Sequence, residues 1–355
     1  MPERPARPVL SARAVVALVF VGTLVLARHR LLTFDEAYYL TRARDLFVRG
    51  APPLADHPPL LLLGLFGADR LPLPLELRVR LVPALLAAGT AFLLGALSRA
   101  TGGDARRATI LGSVGVLPVL GGLIATPDAP LLFGVTLLLL GAAQGRAGLA
   151  GLGALVAGAS KVSGVLAALL VALELARRDR RVALALAGGA LLTLPLGLRS
   201  LMLQAAHVAG RGPLVSAPAL GAPVALGAWA AAVFFLVGPA LLLRVRQVST
   251  IPGGVSLSVA VVGALVASAL VSGRAPEVGW IGPVLPVWIA LAARGPWSRP
   301  ALASYVAPTV MGALLWLAPR GPFEGRAPTR HAPAWPVAPS YGLAAWVHIY
   351  GNNPP

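Results

Sequence analysis

The sequence contains no cysteine, and this absence removes several classes of functional site. Disulfide bonds, thiolate metal ligands and thiol nucleophiles are all excluded. Any metal site therefore has to use aspartate, glutamate or the five histidines. Lysine is almost as rare as cysteine, because Lys161 is the only lysine and every other basic side chain is an arginine.

Charge of either sign is also scarce, at 12% of the residues, whereas 57% are hydrophobic and the mean hydropathy is +0.79. Apolar stretches recur as far as about residue 317, which predicts an all-α integral membrane protein. We expect about eleven transmembrane helices, within a range of about 10 to 12. The stretches are 14–32, 79–98, 107–124, 128–143, 147–159, 162–176, 182–198, 224–243, 254–272, 279–293 and 301–317.

The net charge of +17 does not indicate a nucleic-acid partner, because the arginines are scattered over short loops between the apolar stretches. Such loops face the cytoplasm in membrane proteins, and the turn at 177–181 holds four arginines. We therefore expect the N-terminus inside and a first helix that is retained. Anionic lipid headgroups or an anionic lipid phosphate are the expected partners. The predicted outer segments are 33–78, 126–128, 160–161, 199–223, 274–280 and 318–355.

The first outer segment, 33–78, is too long to be a simple connection. Apolar residues recur at helical spacing from Glu36 to Val48, which predicts an amphipathic helix lying in the membrane interface. Residues 60–66 are expected to form a short apolar helix. Residues 1–317 would then make up one transmembrane domain, followed by a tail at 318–355 that is rich in proline, glycine and arginine.

Ionisable residues in this apolar chain are candidates for function, because each costs about 2.5–3.5 kcal/mol at a helix centre. Asp35 opens the interfacial helix, where it acts either as a helix cap or as a general base. Glu36 is a second carboxylate, with a structural role or a place in a metal site as its alternatives. Asp56 and His57 lie between two proline pairs, which suits a phosphate contact or a metal ligand.

Asp128 lies in a short turn between two apolar stretches, where a helix cap is the simpler interpretation. Lys161 suits a lipid phosphate, because the chain uses arginine at every other basic position; snorkelling is the alternative. Trp280, next to Glu277 and Arg274, is either an interfacial belt residue or a platform for a sugar. Arg211 is a further, weaker candidate.

The sequence has no glycine-rich nucleotide-binding loop and no HExxH metal motif. An enzyme acting on the outer face therefore has to use an activated donor that is already present there, and lipid-phosphate sugars meet this condition. Two other functions remain open: a transporter or lipid flippase, and an inactive scaffold. The charges predicted at one membrane face, rather than at the midplane, favour the enzyme over the transporter.

A series of short motifs, in this order, resembles the GT-C superfamily of membrane glycosyltransferases. The likeness is to bacterial relatives of the protein O-mannosyltransferases and aminoarabinose transferases, and it covers about residues 14–293. The motifs are DEAYY at 35–39, DHPPL at 56–60, TPDAPLLF at 126–133, SK at 160–161, and EVGW leading into PVLP at 277–286.

The resemblance implies an inverting transferase that moves a sugar from polyprenyl phosphate to a lipid, glycan or protein of the cell envelope. The site would lie on the outer, periplasmic face of the bacterial cytoplasmic membrane. Asp35 corresponds to the family's catalytic carboxylate, with Glu36 beside it. His57 stands where many relatives have a lysine that contacts the donor phosphate. Lys161, Arg211 and Arg274 are the other phosphate candidates.

The remaining outer-face residues are predicted to contact the substrates: Tyr38, Tyr39, Asp56, Asp128, Glu277 and Trp280. A divalent metal ion is the one cofactor that the residues leave open. It would draw its ligands from Asp35, Asp56, His57 and Asp128.

Overall fold

The computed structural model describes residues 11–28, 32, 34–48, 58–210, 223–224, 226–227, 230–231, 249–272, 281–295 and 297–317. Helices dominate this described part, which contains no β-strand, and the predicted all-α class is confirmed. The helices are α1 Ala12–Arg28, α2 Phe34–Val48, α3 Leu60–Ala68, α4 Leu75–Ala100, α5 Ala105–Val114, α6 Val116–Leu123, α7 Asp128–Ala143, α8 Ala147–Gly158, α9 Val162–Leu175, α10 Arg180–Gly210, α11 Gly254–Ser272, α12 Leu285–Ala292 and α13 Arg299–Leu317.

Most helix bounds follow the predicted apolar stretches, and the predicted helices at 36–48 and 60–66 are present as α2 and α3. Two bounds differ: α10 continues to Gly210, so that 199–210 is helix where an outer segment was predicted, and α12 begins at Leu285 instead of 279. The stretch at 107–124 is divided at Gly115 into α5 and α6, and 224–243 lies mostly outside the described residues. Within the described part, two helices are long and apolar enough to cross a membrane: α4 and the Arg180–Met202 portion of α10. Since α8, with 12 residues, rises only about 18 Å, the total of eleven spans stays a prediction.

Large apolar side chains point outward from many of these helices. Leu173, Leu192 and Met202 are each more than 70% exposed, and similar side chains lie on α1, α4, α11 and α13. Soluble monomers rarely show apolar surface on this scale, whereas hydrocarbon solvates it at no cost. The outer surface of the bundle is therefore that of a membrane protein.

The main core joins α4, α7, α8, α10 and α9, each packed against the next in that order. Glycines let α7 and α8 approach at backbone distance. A Cβ placed on Gly153 would lie 2.2 Å from the backbone nitrogen of Leu138, and one on Gly134 would lie 2.4 Å from that of Ala157. This close contact, the glycine seam, fixes the register of α7 against α8.

The predicted cytoplasmic loops meet at one end of the bundle. Arg294 donates hydrogen bonds to the Thr101 carbonyl and to the Thr250 hydroxyl. Glu174, near the end of α9, accepts from the Gly253 backbone nitrogen at 2.9 Å and from the Ser256 hydroxyl at 2.6 Å. These contacts tie together three loops, at residues 101, 250–253 and 294, and the last turn of α9.

The first long loop is docked against α4 at the opposite end, through a small apolar core that includes Leu40 and Leu62. Asp69 follows α3 and accepts two hydrogen bonds from Arg44 of α2, at 2.6 and 2.8 Å. Arg78 of α4 donates to the same side chain at 3.1 Å and to the Asp69 carbonyl at 2.6 Å. Hydrogen bonding from Arg44 lowers the pKa of Asp69 from its ordinary value, outweighing the opposing effect of burial.

The glycine seam makes a direct prediction for substitutions in α8. Gly153→Ala places a methyl group against the α7 backbone and should destabilise the protein by about 1–3 kcal/mol. Gly148→Ala is the matched control, because the space around Gly148 is open and alanine favours a helix by about 0.5–1 kcal/mol. Thermal unfolding in detergent measures both variants. Equal Tm values would contradict the close packing of α7 on α8.

The contacts of Asp69 predict a pH dependence of the first loop. The pKa of Asp69 is lower in the folded protein than the unfolded value of about 3.9, so its contacts stabilise the loop above that pH. They are lost as the pH falls through the lowered pKa. Amide hydrogen exchange of α2, corrected for intrinsic rates, should therefore accelerate below about pH 4. Asp69→Asn should show less protection at pH 6 and a smaller acid step; an unchanged step would assign the effect to other carboxylates.

Candidate functional site

The end of the bundle that carries the first loop also brings together several of the predicted motifs. The Ala125 backbone nitrogen, just before Thr126, donates to Glu36 Oε1 at 3.2 Å. The Leu60 nitrogen, at the end of the DHPPL motif, donates to the Ala159 carbonyl at 3.1 Å. We call the first turns of α2, α7 and α9, with the turns 124–127 and 159–161, the candidate site.

Asp128 and Lys161 form an ion pair at the centre of this region. Lys161 Nζ donates to Asp128 Oδ1 at 2.9 Å, and the two side chains are 15% and 30% exposed. The sequence interpretation of Asp128 as a cap is not what the structure shows, because its side chain makes no capping bond and Pro127 is the N-cap of α7. An ammonium has three donors, so Lys161 keeps capacity for a second anion.

The turn that carries Lys161 is firmly held by its own backbone. Ser160 is fully buried, and its hydroxyl donates to the Val156 carbonyl at 2.5 Å. The Ser160 and Lys161 nitrogens both donate to the Ala157 carbonyl at 3.1 Å. The extended backbone of Lys161, with φ −158° and ψ 147°, then starts α9. Lys161 is thus presented from a rigid connection rather than from a mobile loop.

Glu36 is completely buried and forms a two-pronged ion pair with Arg80 of α4. Arg80 Nε donates to Glu36 Oε1 and Arg80 Nη2 to Glu36 Oε2, both at 2.7 Å. Arg80 is also fully buried and donates to the Ala27 carbonyl at the end of α1. Of the two alternatives for Glu36, this environment favours the structural role over a place in a metal site.

The two tyrosines of the DEAYY motif lie in different environments. Tyr39 is 7% exposed and packs in the small core between α2, α3 and α4. Tyr38 is half-buried, with its ring centroid 5.2 Å from that of Tyr39 and 5.4 Å from the Arg42 guanidinium. Tyr39 therefore docks the helix, while a substrate contact by Tyr38 stays a prediction.

Several predicted site residues lie outside the described part of the chain. The structure describes the backbone of Asp35 as the second residue of α2, but not its side chain. No cluster of three metal-ligating side chains occurs among the described residues, which include only Asp128 of the four metal candidates. The predicted site residues that lie wholly outside the described part are Asp56, His57, Arg211, Arg274, Glu277 and Trp280.

Arg80 is the residue of this region that the sequence interpretation missed. It lies at the edge of an apolar stretch and was counted there as part of a membrane span. An unpaired arginine is unfavourable inside an apolar helix bundle, so its presence in the stretch 79–98 is itself a signal of a buried acidic partner. The identity of that partner, 44 residues away, required the tertiary structure.

The chain is similar to two crystal structures of ArnT from Cupriavidus metallidurans. The structure bound to undecaprenyl phosphate has a TM-score of 0.55 and 19% identity, and the apo structure has 0.52 and 18%. Each comparison covers 84% of this chain, and the chain spans 62% and 61% of the two ArnT chains. No protein-family model and no curated protein matches the sequence.

ArnT is an aminoarabinose transferase of the GT-C superfamily. The resemblance predicted from the motifs is confirmed at the level of the fold: the helices of this chain share the architecture of the two ArnT structures.

Proposed function

We propose that the protein is a membrane glycosyltransferase that uses a polyprenyl-phosphate sugar as its donor. The Asp128–Lys161 pair carries this proposal, because it holds an ammonium with remaining donor capacity on a rigid turn at one end of the bundle. Two further observations support it: the shared fold with ArnT, one structure of which is bound to undecaprenyl phosphate, and the docking of the DEAYY helix beside the same turns.

In the proposed reaction, an acceptor hydroxyl or similar nucleophile attacks the anomeric carbon opposite the phosphate. The new bond joins the acceptor to the sugar, the carbon–oxygen bond to phosphate breaks, and the configuration inverts. Asp35 takes the acceptor proton, and polyprenyl phosphate leaves as an anion. Lys161 and His57 stabilise the charge that develops on the leaving phosphate. Arg211 or Arg274 adds a further positive charge.

The proposed location is the outer face of the bacterial cytoplasmic membrane. Lys161 begins α9, and the exposed arginines of the 177–181 turn follow its other end. If that turn faces the cytoplasm, as positive-inside loops do, the candidate site faces outward. An acceptor in the cell envelope follows from this orientation, and the substrate contacts would come from Asp56, Glu277 and Trp280 with Tyr38.

The direct test is a transfer assay with purified protein and a radiolabelled polyprenyl-phosphate sugar. Transfer to an acceptor, or slow hydrolysis of the donor without one, is the expected result. Movement of an intact labelled lipid across a vesicle membrane, with no cleavage of the sugar–phosphate bond, would instead show a flippase.

Asp35→Asn should lower the transfer rate by about 10²–10⁴-fold, because it removes the proposed general base. Asparagine caps helices as well as aspartate does, so expression and Tm should stay near wild type. Asp45→Asn is a matched control on the same helix, where Asp45 pairs with Arg42 at 3.8 Å. An Asp35→Asn variant that keeps a third of the wild-type rate would exclude Asp35 as the general base.

Lys161→Ala should weaken binding of undecaprenyl phosphate at least about tenfold, equivalent to 1.4 kcal/mol, and slow transfer. Lys161→Arg should recover only part of this loss, because a planar guanidinium directs its donors differently. Titration calorimetry or native mass spectrometry measures the affinity. Recovery of wild-type affinity in Lys161→Ala/Asp128→Ala would show that Lys161 only neutralises Asp128.

Transfer rates measured with and without a chelator separate a phosphate contact from a metal ligand at His57. As a phosphate contact, His57→Lys should keep transfer activity, and a chelator should leave the wild-type rate unchanged. Loss of activity in both experiments would instead indicate that His57 ligates a metal ion.

A further inference from the structure

The Glu36–Arg80 pair connects the first turn of α2 to three other segments of the fold. Arg80 belongs to α4, Glu36 to α2, the Ala27 carbonyl to α1, and the Ala125 nitrogen to the turn before α7. All four residues are completely buried. Four segments that are distant in sequence therefore meet at one charged pair, whose carboxylate belongs to the first turn of α2.

Packing alone does not explain why this position is charged. The surroundings are apolar, since Leu40, Leu61 and Val79 are each no more than 2% exposed in the adjoining core. Replacing a buried ion pair by apolar side chains of similar volume is often neutral or even stabilising. A charged pair fixes the relative orientation of the two helices more narrowly than apolar contacts do. The reason is that a guanidinium binds a carboxylate in a single plane, with two parallel hydrogen bonds.

The pair controls the orientation of the first turn of α2. Glu36 is in the first turn of α2, one residue after Asp35, and its Oε1 accepts bonds from both Arg80 and the Ala125 nitrogen. The pair thus sets the distance and rotation of the start of α2 relative to the turn that leads into Asp128. Asp128 in turn holds Lys161 at 2.9 Å.

We propose that Glu36 and Arg80 are positioning residues that fix the first turn of α2, which carries Asp35, relative to the proposed phosphate site at Lys161. This inference rests on the proposed transferase function. It assigns Glu36 an indirect role through Arg80 and the backbone, rather than contact with the reacting atoms. A displacement of about 1 Å in a catalytic group lowers a rate by about 10²-fold. Loss of the contacts that hold the first turn of α2 should therefore lower the rate of sugar transfer.

The decisive experiment compares single and double substitutions of the pair. Glu36→Gln and Arg80→Met each leave one buried charge without its partner and should lower Tm. The double variant Glu36→Gln/Arg80→Met contains neither charge and keeps an amide oxygen for the Ala125 nitrogen. We expect it to recover most of the lost Tm while transferring sugar at least about tenfold more slowly than wild type.

The pattern of kinetic constants distinguishes positioning from general damage. In the double variant kcat should fall, whereas the Kd for undecaprenyl phosphate should stay within about twofold of wild type, because the Lys161 turn is untouched. Hydrogen exchange of the amides at 36–40 should accelerate in the same sample. Recovery of Tm together with a wild-type kcat and wild-type exchange would overturn the proposal and leave the pair a purely structural contact.

Arg80→Lys provides a second route if the double variant does not fold. It keeps the positive charge but loses the two-pronged geometry, so kcat should fall several-fold with the donor Kd unchanged. A wild-type kcat in Arg80→Lys would also overturn the proposal. Wild-type protein in the same assay separates the two hypotheses: if it transfers no sugar, the proposed function fails, and the exchange measurements at 36–40 still decide whether the pair orders α2.

Discussion

An unpaired charge cannot remain inside an apolar bundle, and the Glu36–Arg80 pair shows how this constraint shapes the site end of the molecule. Arg80 pairs with a carboxylate of α2, Glu36. This pairing brings α2 against α4 and the turn at 124–127. The first long loop consequently becomes a docked part of the structure, with Asp69 joining α2, α3 and α4 at its outer edge.

A second constraint, the close approach of helix backbones, governs the other half of the site. Gly134 lies against Ala157 and Gly153 against Leu138, so α7 and α8 pack antiparallel in a fixed register. This register places the start of α7 beside the end of α8, which is where Asp128 and Lys161 meet. Small residues suit this purpose in a membrane, because packing rather than apolar burial drives helix association there.

The comparison with ArnT shows how little sequence such a fold needs. At 19% identity, the two chains share a common architecture over 84% of this chain. Apolar stretches tolerate substitution, because lipid solvates many side chains equally well. The proposed function of this chain therefore rests on the Asp128–Lys161 pair and the turns around it.

The sequence by itself determined the all-α class, most helix bounds, the helix at 36–48 and the fold resemblance, because hydrophobic periodicity and local motifs act over short distances. It also predicted that Asp128 and Lys161 share one end of the bundle, although not that they touch. Only the tertiary structure decided the partners of Glu36, Arg80 and Asp69. Those contacts join residues up to 89 positions apart, and such pairings depend on helix register and packing, which no local pattern encodes.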